Sequence, residues 1–223
     1  MGKVFTNPSF GDWIRQIFEH PVAHPAWYWD VEADRADLEP QRVVDYAQRL
    51  FESAPDTLSP YTDEQANQGL WFLIGESSSP LYDALTDSDV PPSASVSCIM
   101  SISSIFADYF VPRCTPHLSH LDEPGSGPLN PVCYMWWDIF PLCGEDHDPA
   151  RREIDAACMS VMEATLELSS VACQESALHG LGHWGFSHEE RCRSAIERFL
   201  GRDSNIRHEL RAYALRARDR DVA

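Results

Sequence analysis

Apolar residues recur at helical spacing along most of this chain, and a one-sided apolar stripe of that period needs a neighbouring element to cover it. Val43, Ala47, Leu50 and Phe51 fall at i, i+4, i+7 and i+8, and Ala66, Leu70, Leu73 and Ile74 repeat the pattern. Ile154, Ala157, Cys158, Val161, Thr165 and Leu168 form a longer stripe. Cys192, Ala195, Ile196, Phe199 and Leu200 form another, followed by Ile206, Leu210, Tyr213, Ala214 and Ala217. Start signals agree with these stripes. Thr62 with Gln65 and Ser187 with Glu190 have capping-box spacing, Asp148-Pro149 puts a capping carboxylate before a helix-starting proline, and Ser204 is placed to cap the last helix. Residues 95–106 alternate for a few positions as a strand would, but their apolar set suits a helix equally and the neighbours favour helix. The expected class is all-α, built as stacked antiparallel helix pairs or an irregular helical bundle. One domain is expected over residues 1–223. A possible internal boundary lies in the Pro- and Gly-rich stretch 112–131, either a partner-contacting loop or a loosely ordered connection.

The C-terminal third is the most legible. Ala177-Leu-His179-Gly180-Leu-Gly182-His183-Trp184, a turn, an amphipathic segment ending Phe199-Leu200, and Leu210 to Ala217 together resemble units of HEAT-like helical-repeat proteins, over roughly residues 150–220. The resemblance implies a curved helical scaffold of the kind that binds macromolecules. The first half of the chain departs from any clean repeat.

Charge narrows the function classes. The 223 residues carry 35 acids against 17 bases, a net charge of −18. Such a field repels nucleic acids and anionic membranes and attracts basic proteins or cations, so neither a nucleic-acid nor a membrane partner is expected. A HEAT-like DNA glycosylase ranks last for the same reason. The acids are segregated: from Ala54 to Ala150 the only base is Arg113, facing fourteen acids. Solubility alone does not require this segregation, since interspersed charges would serve. The seven Cys include no Cys-x-x-Cys clip, the N-terminal residues show no apolar leader, and no uninterrupted apolar run approaches the ~18 residues of a membrane span. Reduced, buried thiols in a cytoplasmic protein are the expectation.

Aromatic residues interleave with the acids, densest at Tyr134-Met-Trp136-Trp137-Asp138-Ile-Phe140. Adjacent Trp residues on a helix point about 100° apart, so one is expected in the core and the other is free to act as an interface anchor. The candidate partner-binding residues are Glu76, Asp83, Asp87, Asp89, Asp122, Glu123, Trp136, Trp137 and Asp138.

Glu175, His179 and His183 are spaced i, i+4, i+8 on one helical face, where paired histidines can share a metal ion. The metalloprotease pattern needs a Glu directly after the first His, and Gly180 stands there instead. Buried hydrogen bonding between helices is the commoner role for such histidines. Gly180 and Gly182 each cost a helix ~1 kcal/mol relative to Ala, which points to close packing or a helix end. His20 and His24 near Trp27, His117 and His120 near Asp122, and the run Glu145 to Asp148 lack the spacing of a defined metal site. Nucleophile and phosphate-loop motifs are absent, so no cofactor and no enzymatic activity is expected. The leading expectation is an acidic module that captures and inhibits a basic protein partner, as an immunity protein neutralises a bacterial toxin. The alternatives are a metal-dependent enzyme using His179 and His183, or a helical scaffold protein.

Overall fold

The structure is a computed structural model that describes residues 4–30, 32–33, 35–75, 79–142, 144, 151–202 and 206–222. It is all-α, and among the described residues strand is confined to β1 (Val4–Thr6) and β2 (Arg35–Asp37), which pair in parallel with Phe5 opposite Ala36. At three residues each, these strands are too short to leave a period-2 signature in the sequence.

Helix α1 (Phe10–Phe18) starts at a capping box: the Ser9 hydroxyl accepts from the Asp12 amide at 3.2 Å while the Asp12 carboxylate accepts from the Ser9 amide at 3.3 Å. Pro40 opens α2 (Pro40–Glu52), and α3 (Ala54–Thr57) adds one turn. The Thr62–Gln65 capping box forms as its spacing predicts and starts α4 (Asp63–Ile74). Then come α5 (Leu81–Thr86), α6 (Pro92–Ser104), a π-helical turn at Ile105–Phe110 and α7 (Val111–Arg113), so that residues 92–113 run as one helix. After the 112–131 stretch follow α8 (Asn130–Tyr134), α9 (Trp136–Ile139), α10 (Arg152–Thr165), α11 (Val171–Trp184), α12 (Glu189–Arg202) and α13 (His208–Arg218).

Helix α6 lies between α2 and α10 and forms the centre of the N-terminal part of the core. Its residues Cys98, Ile99 and Ile102 are buried, as are Ile105, Phe106, Tyr109 and Phe110 on the π turn. The 92–113 helix is long and apolar enough by composition to cross a membrane, with mean hydropathy 1.5 over its most apolar window, contrary to the expectation from uninterrupted apolar runs. Interspersed serines hid it from that criterion. Half of the window is buried inside the fold, and Ser95 and Ser101 donate to the Leu85 and Cys98 carbonyls. These hydroxyls are satisfied by protein groups, as burial requires.

Helix α11 is the centre of the C-terminal part, touching α8, α9, α10, α12 and α13. A Cβ added at Gly180 would stand 2.5 Å from the Trp137 Cβ and 2.7 Å from the Met162 sulfur, so this glycine lets α9 and α10 approach the α11 backbone. The helix continues past both glycines to Trp184, so packing, and not helix termination, explains Gly180. The pairings of α6 with α2 and α10 join segments far apart in sequence.

The 112–131 stretch is stitched to itself and to the core. The Asn130 amide group donates to the Thr115 and His117 carbonyls at 3.0 and 3.2 Å, and its oxygen accepts from the Thr115 amide at 3.0 Å. Asn130 is fully buried, so a single side chain satisfies a loop backbone that would otherwise be stranded. Of the described cysteines, all are unpaired thiols and all but Cys114 are buried; burial pushes the thiols of Cys98 and Cys158 well up and that of Cys192 to about 12.

Candidate functional site

The face of α11 that carries Glu175, His179 and His183 looks onto a buried polar centre. Glu175 is completely buried, and its carboxylate is committed to the loop before α8. Oε2 accepts from the Ser119 amide at 2.9 Å, and Oε1 accepts from the His120 amide at 3.0 Å and meets the His120 Nδ1 at 2.5 Å. Charge-assisted bonds of this kind are the strong ones, and here they compensate a carboxylate taken out of water. Glu175 therefore pins the loop and is not among the residues that converge on a metal-sized space.

The His120 ring stacks on Tyr213 of α13 with centroids 4.0 Å apart. The Tyr213 hydroxyl lies 2.6 Å from the His179 Nδ1 and 3.1 Å from the Tyr134 hydroxyl. Burial, with His183 and His120 nearby, pulls the His179 imidazole down to about 3, so it is neutral across the physiological range. The same burial raises the Tyr134 and Tyr213 phenols, which stay protonated. The His179 Nε2 has no hydrogen-bond partner among the described residues, although the residue is only 2% exposed.

Helix α9 brings Asp138 to this nitrogen. Trp136 and Trp137 are driven inward, and the next 100° step turns Asp138 to the rim. The His183 Nε2 is 3.4 Å from the Asp138 Oδ1, and the His179 and His183 rings meet edge to face at 4.6 Å. Asp138, His179 and His183 each offer one ligand atom, and those atoms lie within 4.8 Å of one another. Two imidazoles and a carboxylate in that arrangement match the donor set of first-row transition-metal sites. Asp138, expected on a partner surface, belongs to this cluster, and the approach of α9 to α11 that joins them leaves no signal in local sequence.

The proposed aromatic anchors are corrected. Trp136 and Trp137 are 0% and 2% exposed, so neither reaches a partner. Trp136 packs edge to face with Phe51, Phe106 and Phe110 at 5.6 to 5.8 Å, contacts worth ~0.5–1.5 kcal/mol each beyond burial. Trp137 stacks parallel to Phe106. Two helix faces 100° apart are both covered because α9 is a short turn wedged inside the core. His20, another candidate ligand, stacks on Trp27 at 4.0 Å and meets the Gln16 carbonyl through Nε2 at 2.6 Å.

The acids separate into engaged and free groups. Glu123 is paired with Arg207 and accepts from the Leu118 amide at 2.9 Å, which holds its carboxyl below the usual range. Asp122 is exposed in left-handed backbone, and Asp83, Asp87 and Asp89 cluster around the end of α5, with no basic partner among the described residues. Glu76 lies outside the described residues. Arginines of the C-terminal part are consumed internally: Arg191 and Arg198 on Glu163, Arg202 on Glu167, Arg207 on Glu123 and Arg220 on Glu189.

The exposed aromatic surface lies elsewhere. Trp29 is 63% exposed and, with Tyr28, Trp71, Val22 and Pro25, lines an open cleft of about 470 Å³. The exposed carboxylate of Glu64 sits on its wall. The cleft was missed from sequence because it joins the 22–29 loop to the face of α4 that runs from Glu64 to Trp71.

No known protein family matches this chain, and no curated protein or solved structure shows significant similarity to it.

Proposed function

We propose that this protein is an acidic binding module that captures and inhibits a basic protein partner, acting in the cytoplasm in the manner of an immunity protein that blocks a toxin. The observation that carries the reading is the cleft of Tyr28, Trp29 and Trp71 with Glu64 on its wall. Aromatic faces attract Lys or Arg side chains, and a carboxylate beside them completes a receptor for a cationic group. Trp is the residue type most enriched among binding hot spots, and Trp29 offers an indole at the surface.

The charge distribution supports the same reading. Internal ion pairs use up arginines of the C-terminal helices, and Asp83, Asp87 and Asp89 have no basic partner among the described residues, so they attract a basic surface. Opposite charge accelerates encounter, and aromatic anchoring slows release. A scaffold of HEAT-like type would present such a surface equally well, and the two roles differ only in the partner.

The test is a variant pair measured against the captured partner. Trp29→Ala is expected to weaken binding by ~2 kcal/mol or more, about 30-fold, mainly through faster dissociation. Glu64→Lys is expected to slow association and flatten its salt dependence. Unchanged affinity in Trp29→Ala rules the cleft out as the anchor.

A further inference from the structure

We infer that Asp138, His179 and His183 form a binding site for one divalent transition-metal ion of the zinc class, clamping α9 to α11. The donor atoms already converge within 4.8 Å, and bonds of ~2.0–2.1 Å to each would need them roughly 3.3 Å apart. The closing movement falls on rim side chains. His183 and Asp138 are about one-third exposed, while His179 is buried in the core.

The second, independent observation is the His179 Nε2, which finds no hydrogen-bond partner among the described residues. A buried ring nitrogen without a partner costs ~1–3 kcal/mol, and native interiors seldom leave one so. Tyr213 occupies the Nδ1 side at 2.6 Å, which settles which nitrogen is free for a ligand. With Nδ1–H donating to the Tyr213 oxygen, and Tyr213 donating onward to Tyr134, the Nε2 lone pair points into the cluster. This is the support from behind that metal-bound histidines normally have. A soft or borderline metal suits the two nitrogens, whereas calcium and magnesium prefer all-oxygen sets. Three protein ligands at a half-open rim leave a fourth position for water.

The experiment is calorimetric titration of chelator-treated full-length protein with Zn²⁺. Cobalt(II) absorption serves as a second readout of coordination geometry, and thermal melts serve as a third. One equivalent is expected to bind, with a tetrahedral cobalt spectrum and a metal-dependent rise in Tm. Asp138→Asn and His183→Ala, both at the rim, should weaken binding at least ~10–100-fold and abolish the Tm rise while the apo fold is retained. Tyr213→Phe should weaken binding less. His208→Ala, at an exposed histidine outside the cluster, should change nothing. Zinc binding that is weak and indifferent to the two rim variants, or a cobalt spectrum of the free hydrated ion, would overturn the assignment.

Discussion

At the scale of single residues, the polar centre behind α11 is held by Glu175. It satisfies two backbone amides and a ring nitrogen with one buried carboxylate. Glu175→Gln keeps the volume and removes the charge, and is expected to cost ~2–3 kcal/mol in urea denaturation. A loss below ~0.5 kcal/mol would show that the loop is held by other contacts. Glu123 supplies a pH-dependent contact to the same loop. Its folded pKa is depressed by Arg207 and the Leu118 amide, so its contribution is full above the ordinary carboxylate range and disappears as pH falls through the lowered value. Acid melts should therefore show Arg207→Ala losing less stability than the parent below about pH 4. Equal pH profiles for the two proteins would deny Glu123 that role. The row Glu175, His179, His183 was readable from the sequence as one helix face. Its partners were not, because His120, Asp138 and Tyr213 arrive from three other segments, and pairing across space leaves no trace in local spacing.

At the scale of elements, local chemistry made most helices legible. The Thr62–Gln65 box and the apolar stripes of α2, α4, α10 and α12 each appear where the sequence places them. The 95–106 segment is helix and π turn, with no strand. Close packing between helices was visible only as glycine out of place. Gly180→Ala gains helix propensity of ~1 kcal/mol but drives a methyl into Trp137 and Met162, so a net loss of ~1–3 kcal/mol is expected. Gly182→Ala meets one side chain, Val222, with its nearest methyl at 2.5 Å and no indole or sulfur, so a smaller loss than for Gly180→Ala is expected. Thermal unfolding of the pair checks the contrast. Equal effects would mean that α9 does not press on α11 as described. The aromatic run at 134–140 shows the opposite failure: interface chemistry was legible in composition, but the short α9 turn buries both Trp residues inside the core.

At the scale of the whole molecule, charge and class come from composition and periodicity, and both describe the folded protein well. What composition cannot express is which charges remain free after folding. Among the described residues, arginines of the C-terminal helices pair internally and the acids at the α5 end have no basic partner. The aromatic cleft around Trp29 gives that field a place to act. A capture surface built this way should associate fast at low salt and slow steeply as the Debye length shrinks from ~10 Å at 0.1 M toward ~3 Å at 1 M. The most direct test immobilises the full chain and presents lysate at low and roughly tenfold higher salt. The wild type is compared with Trp29→Ala and with the triple reversal of Asp83, Asp87 and Asp89 to Lys. The expected result is one basic protein held stoichiometrically by the wild type at low salt, weakened by the higher salt and by each variant. A partner retained equally by all three proteins at both salts, or no basic partner at all, would contradict capture by this acidic, aromatic surface.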